Sequence, residues 1–441
     1  MIIILGFIYF VFLFLAILRC LYFWQLKEYR WDRFREFLKT GQARLFWLPS
    51  FRSFRPRLTI KVVILIYISC YCCWMLLGLK PWWILMILIY LLIPLITSLA
   101  VLILKPLSDL IVDIVVLAAG LKLKVLKKDL LVIGITGSYG KTSLKEILEH
   151  LLAGKFSVCK TAGTNNTLIG VALTILRKLN RAKQIFIVEM GAYRQGEIKT
   201  LCRLVKPDIG ILTGITIQHL GLFGSLNNII RAKAELLDSL PKGAQVFLNG
   251  ENQFTRKLSK QYKHLRVYLY RRPQKNLTTN LLGSWQQLNL NGALAVGQAL
   301  GIKKKTLIHR MRAIPGFPTA LLKKSGINHS LVLDNSFSAN PTGFKEIITD
   351  VHKLKSPNKI LVTSGIIELG MQTISIHKQL GKAAGAVFRQ IYVTKKELLP
   401  LFPHSIYLSD PSQISIKPRS VIVLVSRLPQ NIIQFLCPNQ S

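Results

Sequence analysis

The segment from Thr136 to Ser143, Thr-Gly-Ser-Tyr-Gly-Lys-Thr-Ser, packs two glycines, a lysine and five hydroxyl-bearing residues into one short stretch. It follows the apolar run 131–135 directly and precedes a stretch of helical spacing at 144–152. A chain that turns sharply from strand to helix aims several backbone N–H groups at one point, where the helix N-terminus adds partial positive charge. Phosphate is the ligand such a nest suits. Gly137, Ser138 and Gly140 form the turn, Lys141 adds a fixed cation, and Thr142 with Ser143 opens the helix, the Thr142 hydroxyl being placed to ligate Mg2+. The general phosphate-loop pattern has a glycine where Ile135 stands, so the match is to a shorter form, T-G-x-x-G-K-T.

Other residues gain meaning from their place after strands. Glu189 ends the hydrophobic run 184–188, which puts a hard oxygen donor at the carboxyl edge of a strand, where open α/β sheets bind ligands and where Mg2+ is suited. His219 follows the run 209–212; an imidazole there is either a metal ligand or a structural residue. On residue type alone Lys233 reads as a solvated helix lysine. Asn166 and Thr167, in Thr-Ala-Gly-Thr-Asn-Asn-Thr-Leu-Ile-Gly, are short polar side chains that equally suit an ordinary loop.

The elements that must position these groups form an α/β pattern. From about residue 130, β-rich runs at 131–135, 184–188, 209–212 and 245–248 alternate with helical stretches, which predicts a parallel sheet with crossover helices. Before it the chain is different. Of 441 residues 51% are hydrophobic, and they concentrate in the first quarter, predicting a membrane region at 1–128 with spanning helices at 2–24, 58–79 and 81–104. The first run is longer than a signal-peptide core and has neither a basic start nor a small-residue cleavage site, so it reads as an anchor. A short turn at Lys80 and Pro81 joins the later two spans, with Trp82 and Trp83 at an interface.

The loop after the first span carries Lys27, Arg30, Arg33, Arg35, Lys39, Arg44, Arg52, Arg55 and Arg57 against Glu28, Asp32 and Glu36, so the positive-inside rule puts it in the cytoplasm. The expected location is a multi-pass cell-membrane protein with its catalytic domains cytoplasmic. The apolar segment 107–126 carries Asp109 and Asp113 and is expected to be an interfacial helix or one docked on the body. A net charge of +39 suits an anionic partner. With no base-stacking motif, zinc-finger spacing or dense Lys/Arg tract, nucleic acid is not the expected one. Seven cysteines lack both a disulfide framework and metal-ligand spacing, in keeping with a reducing compartment.

Four blocks in order, ITGSYGKTS at 135–143, VEMGAYRQGEI at 188–198, ITIQHLGLFGS at 215–225 and RAKAEL at 231–236, resemble the Mur ligases, most of all the branch that adds D-alanyl-D-alanine. The resemblance covers roughly 130–400. It implies a central ATP-binding domain at 129–302 and a smaller, Rossmann-like, mobile C-terminal domain at 303–441, the latter built on runs at 331–333, 359–363, 390–393 and 421–425. It implies ATP and Mg2+ as cofactors, with Thr142, Glu189 and His219 holding metal, Lys141, His219 and Lys233 in catalysis, and Lys233 carbamylated by CO2. Asn166 and Thr167 would lie near the substrate, and Asn289, in LLGSWQQLNLNGALAVGQALGI, near the nucleotide base. The implied reaction activates a carboxylate of a muropeptide, UDP-linked or lipid-linked, as an acyl phosphate, and joins it to an amine such as D-Ala-D-Ala.

Some positions depart from the family. Trp285-Gln286 stands where relatives have His-Asn, Ala320 where they have arginine, and Asn335 where they have aspartate, with Asp334 directly before it. The losses imply weakened ATP use, a shifted geometry in which Asp334 substitutes as the nucleotide-binding carboxylate, or an inactive relative. His377 matches a recurring family histidine, with a helix-surface or capping role equally open. The membrane region occupies the place of the family's UDP-sugar-binding domain.

Overall fold

Runs of β-branched and aliphatic residues that are apolar on both sides can only be strands with both faces covered, and four of them form the centre of a six-stranded first sheet flanked by two edge strands. In the computed structural model, which describes residues 2–39, 43–47, 54–77, 82–317, 320–336, 339–367 and 369–438, the six are β1 (Leu131–Thr136), β2 (Val158–Lys160), β3 (Ile185–Glu189), β4 (Ile209–Leu212), β5 (Gln245–Asn249) and β6 (Arg266–Tyr270). All are parallel, in the order β2-β3-β1-β4-β5-β6. Alternate residues feed opposite cores. Val132, Val188 and Leu212 pack with helices Leu168–Lys178, Glu197–Val205 and Leu226–Asp238, while Ile133, Ile135 and Ile187 pack with Lys141–Ala153 and Ser284–Ala299.

From β1 the chain runs outward to β2, returns through β3, then crosses to the other side of β1 to make β4. The switch of direction opens a crevice at the carboxyl ends of β1, β3 and β4, the place where such sheets take ligands. Register sharpens this. Ile135 is paired with Glu189 and Thr136 with Leu212, so the loop after β1, the carboxylate ending β3 and the loop after β4 emerge side by side.

The second sheet is built from β7 (Leu322–Ser325), β8 (Leu331–Asn335), β9 (Lys359–Thr363), β10 (Gln390–Val393), β11 (Ser405–Tyr407) and β12 (Val421–Val425). Its order is β11-β10-β9-β12-β8-β7, parallel except for β7, which runs antiparallel to β8. Polar bonds join the two sheets' domains. The backbone N–H of Ser284 donates to Asp350 at 2.7 Å, Arg272 pairs with Glu346, and a methyl group placed on Gly370 would stand 3.3 Å from Gly221, two residues past His219.

Residues 1–114 and 115–441 are separate compact units. In the first, helices Ile2–Leu26, Ile60–Leu77 and Trp82–Ile103 turn apolar side chains outward, among them Phe7, Phe10, Leu15, Leu91, Leu95 and Leu99. The basic loop is folded as well: helix Trp31–Leu38 stacks Phe34 on Trp24 at 3.8 Å and Phe37 on Phe23 at 5.0 Å. Two helical stretches, Phe7–Leu26 and Ile87–Asp129, are long and apolar enough to cross a bilayer, and Ile60–Leu76 is apolar but shorter. The expected turn at Lys80 and Pro81 lies outside the described residues, as do the side chains of Trp82 and Trp83.

No loop separates the expected third span from the segment after it. The N–H of Leu104 donates to Ala100 O at 3.1 Å and that of Ser108 to Leu104 O at 3.0 Å, so the chain stays helical past Lys105. Pro106 is tolerated there because it falls at the start of the next helix, Lys105–Leu126. The division between units comes earlier than the boundary at 128 read from sequence. Ala119 and Leu123 are buried in the core of the body, with Val115, Val116 and Leu126 against it, and Lys122 Nζ donates to Leu176 O at 2.8 Å.

Candidate active site

The loop after β1 needs its glycines. Gly140 has φ 76° and caps helix Lys141–Ala153, and at Gly137, with φ 146°, a Cβ would stand 2.1 Å from Thr213 Oγ1. The loop after β4 braces it: Ser138 N–H donates to Gly214 O at 2.7 Å, and Ser138 Oγ accepts from Thr216 N–H and donates to Thr216 O, each at 3.1 Å. Lys141 Nζ folds back over the turn to donate to Gly137 O at 2.8 Å. Burial pulls the Lys141 ammonium below the ordinary lysine value, the charge of Glu189 opposes that, and Lys145 reinforces it. Ser143 is buried, and Thr142 lies half-buried in the first helical turn.

Glu189 is 1% exposed and both its oxygens are held. Oε1 accepts from Asn166 Nδ2 and Oε2 from Lys145 Nζ, both at 3.1 Å. Lys145, not singled out from the sequence, is 0% exposed and also donates to Gly163 O. The signal that could have found it is a second lysine one helical turn after Lys141 on the helix that opens the phosphate loop.

Lys233 is not the solvated helix lysine that its residue type suggested. Helix Leu226–Asp238 turns Ile229, Ala232, Lys233, Leu236 and Leu237 inward, and the ammonium sits 5.8 Å from the centre of the Phe223 ring. Burial first, and the positive charge of Lys141 second, push the Lys233 amine down to about 7 against the opposing pull of Glu197 and Glu235. His219 takes a left-handed conformation, φ 57°, at the N-cap of the short helix Leu220–Phe223, with its ring 4.9 Å from Tyr193.

One cleft is lined by Gly137, Ser138 and Lys141 from the β1 loop, Asn166, the residues Gly191, Ala192 and Tyr193 after β3, Gln218, His219 and Phe223 after β4, and Lys233. The structure therefore brings together Gly137, Ser138, Lys141, Asn166, His219 and Lys233 of the expected residues. Glu189 lies behind Asn166, and Thr142, Ser143 and Gly140 lie outside the lining. Thr167 is outside the lining and caps helix Leu168–Lys178, its hydroxyl accepting from Gly170 N–H at 3.3 Å. Asn289 is buried and donates to Gln286 Oε1 at 3.1 Å, and its own Oδ1 would lie 3.0 Å from a Cβ at Gly140, so it backs the phosphate loop.

The second sheet's candidates stand apart from this cleft. Asp334 ends β8, is bonded by Lys324 at 2.8 Å and accepts from Ser336 N–H at 2.9 Å. Burial pushes its carboxyl up, but these partners outweigh that and hold it below the usual range. Ala320 is 2% exposed in the core of the first sheet. His377 is not on a helix surface. It is buried, with Nε2 accepting from Ile366 N–H at 2.8 Å and Nδ1 bonded to Thr373 O at 2.7 Å.

Among the described residues no three His, Cys, Asp or Glu side chains gather as an all-protein metal site. A single buried carboxylate beside a phosphate loop is instead the donor chemistry of Mg2+, which commonly takes one or two carboxylates and draws its other ligands from substrate phosphates and water. Glu189 and Thr142 fit a cation that arrives on a nucleotide.

Residues 135–297 match the Mur ligase middle domain. The chain is 29% identical over 274 residues to the UDP-N-acetylmuramoyl-tripeptide--D-alanyl-D-alanine ligase of Bacillus subtilis, covering 57% of this chain and 59% of that one. It is 29% identical over 288 residues to the ligase of the same name from Escherichia coli, covering 58% and 62%. The chain thus spans about three-fifths of the length of these relatives. Among solved structures it is similar to MurF ligase from Thermotoga maritima in complex with ADP, with a TM-score of 0.65 and 24% identity over 74% of this chain and 83% of that one. It is also similar to MurF from Acinetobacter baumannii, with a TM-score of 0.64 and 21% identity over 71% and 78%. A folylpolyglutamate synthase from Mycobacterium tuberculosis complexed with ADP reaches 0.55 at 12% identity over 73% and 94%. At these identities the structural likenesses show the shared α/β fold with its two parallel-stranded sheets. Residues 135–297 are thus similar to the Mur ligase middle domain, and the chain is similar over about three-fifths of its length to these D-alanyl-D-alanine ligases.

Proposed function

We propose that the chain is an ATP-dependent amide ligase of cell-wall precursor synthesis, with a central ATP-binding domain at 129–302 and a C-terminal domain at 303–441. The observation that supports it is the convergence of Lys141, Asn166, His219 and Lys233 on one cleft at the switch point of the first sheet, with Glu189 fixed behind them. A muropeptide carboxylate oxygen attacks the γ-phosphorus of ATP, ADP leaves, and an acyl phosphate forms. The amine of D-Ala-D-Ala or a similar acceptor then attacks the carbonyl carbon, loses a proton, and expels phosphate. When bound, Mg2+ offsets charge on the phosphates, with Thr142, Glu189 and His219 as its candidate protein partners. Lys141 reaches the loop turn, where it can follow the transferring phosphoryl group. Lys233, its amine brought down to about 7 chiefly by burial, offers a neutral form at physiological pH and so is a nucleophile for CO2. The amine and CO2 give a carbamate anion and a proton, turning a repulsion between Lys141 and Lys233 into an attraction.

The outward apolar helices of residues 1–114 support a membrane anchor, and the basic loop after the first helix supports a cytoplasmic body. An anchored site raises the effective concentration of a lipid-linked muropeptide over a soluble UDP-linked one. The test is phosphate release from Mg-ATP by the full-length protein in membranes, with muropeptide and D-Ala-D-Ala, beside Lys141→Ala. Turnover that needs both substrates and Lys141 supports the ligase. A second reading, a catalytically weakened membrane scaffold of the same fold, draws support from Asp334 being tied to Lys324 and Ala320 being buried in a core. Absence of both nucleotide binding and turnover would favour it.

A further inference from the structure

Lys145 is a fully buried cation that the mechanism above does not use. It stands one helical turn beyond Lys141, and its ammonium joins three segments: its own helix, the carbonyl of Gly163 in the loop that carries Asn166, and Glu189 Oε2 at 3.1 Å. Asn166, from that same loop, holds the other carboxylate oxygen at 3.1 Å. A second carboxylate, Glu146, lies 3.7 Å from the ammonium but is mainly engaged by Lys160. Stability alone is a poor reason for this arrangement, because a buried ion pair is commonly no better than apolar residues of the same volume. Geometry offers another. With one lone pair of each Glu189 oxygen occupied, the carboxylate cannot rotate, and the lone pairs left over point in fixed directions beside the phosphate loop.

We infer that Lys145 is a positioning residue that locks the orientation of the Glu189 carboxylate and couples it to the Gly163–Asn166 loop, so that Glu189 meets a nucleotide-borne Mg2+ in one geometry. This deepens the ligase reading and rests on it. Groups that orient a metal ligand from behind typically carry about ten- to a hundredfold in metal affinity. The experiment is calorimetric binding of ADP to the detergent-solubilised full-length protein, with Mg2+ and with EDTA, for the native chain and Lys145→Met. In the native protein Mg2+ tightens ADP binding. In Lys145→Met that Mg2+-dependent gain falls about tenfold, while metal-free ADP affinity changes by less than about threefold. An undiminished gain, or equal weakening with and without Mg2+, overturns the inference. Should Lys145→Met fail to fold, Lys145→Arg decides: the charge is kept but the point donor becomes a planar fork, and a reduced gain supports the role whereas a native gain overturns it. A native protein whose ADP binding is absent or indifferent to Mg2+ overturns the ligase reading itself, and this inference with it.

Discussion

Replacing Lys233 by methionine should make the protein more stable while abolishing turnover. The side chain is 4% exposed, and its amine is brought from the ordinary 10.5 down to about 7, chiefly because burial strips solvent from the charged form. Between those two values the folded state binds fewer protons than the unfolded state, so this group makes stability rise with pH across that window, and its penalty is complete below about 7. At pH 7.5 keeping the lysine buried costs about 4 kcal/mol on this reasoning. Methionine has a similar volume and no charge to desolvate. In CO2-free buffer the Lys233→Met variant should therefore gain up to that amount at pH 7.5, with the difference shrinking towards zero as pH approaches 10.5. Urea midpoints read by proteolysis of the body at pH 6.5, 7.5 and 9.5 measure it. Added bicarbonate should narrow the gap by stabilising only the native chain. Turnover should fall by about two to three orders of magnitude, as for loss of a main electrostatic group. A variant less stable than the native protein at pH 7.5, or a difference that stays flat with pH, would refute the assignment of Lys233 as a desolvated amine.

Glu189→Gln strands the Lys145 ammonium in the core and should cost about 3 kcal/mol, whereas Glu189→Gln with Lys145→Met should recover most of it; additive losses in thermal unfolding would show that the two are not a pair. His377 is held neutral by burial, below its ordinary 6.5, so its contribution is present above that value and lost as pH falls through the folded value. His377→Phe should lose about 1–3 kcal/mol at pH 8 and flatten the acid limb of the stability curve, an unchanged acid limb counting against this. Thr167→Ala should lower thermal stability by about 1 kcal/mol with turnover per folded molecule intact, because its hydroxyl caps a helix. Asn166→Ala should do the reverse, lowering turnover more than stability; the opposite ranking in paired activity and melting assays would contradict their placement.

The strands legible from sequence are those buried on both faces. β4, β9, β10 and β12 fall at the limits their apolar runs imply, β1, β5 and β8 run a residue or two further at the carboxyl end, and β3 is shifted by one residue. The four strands that escaped, β2, β6, β7 and β11, are the edges of the two sheets. An edge strand needs no continuous apolar run: β7 reads Leu-Lys-Lys-Ser and β2 is three residues long. The site divides in the same way. A phosphate loop is written in contiguous residues, so Gly137, Gly140 and Lys141 could be read directly. The partner of Glu189 could not, because Lys145 meets it across 44 residues of sequence and only the β1–β3 register brings them together. Lys233 was half legible. Its spacing from Ile229 and Leu236 puts it on the inward face of its helix, a signal that outweighs the usual exposure of lysine.

On the ligase reading, the departures at Ala320 and Asn335 bear on where nucleotide charge would be met. Ala320 is packed in the core that holds Ile314 and Phe317, so an arginine at that position would bury its guanidinium or force the segment out of the core. Asp334 is not a free substitute either, since Lys324 on the neighbouring antiparallel strand neutralises it. The first domain, by contrast, brings Lys141, Lys145 and Lys233 near one another, with Glu189 acting on Lys141 and Lys145, and Glu197 and Glu235 acting on Lys233. Lys141 and Lys233 repel each other, and polyphosphate and a carbamate on Lys233 are anions that would relieve that repulsion. On the proposed function, phosphate recognition would rest on the loops of the first sheet, while the Gly370 turn of the second domain packs against Gly221, two residues past His219.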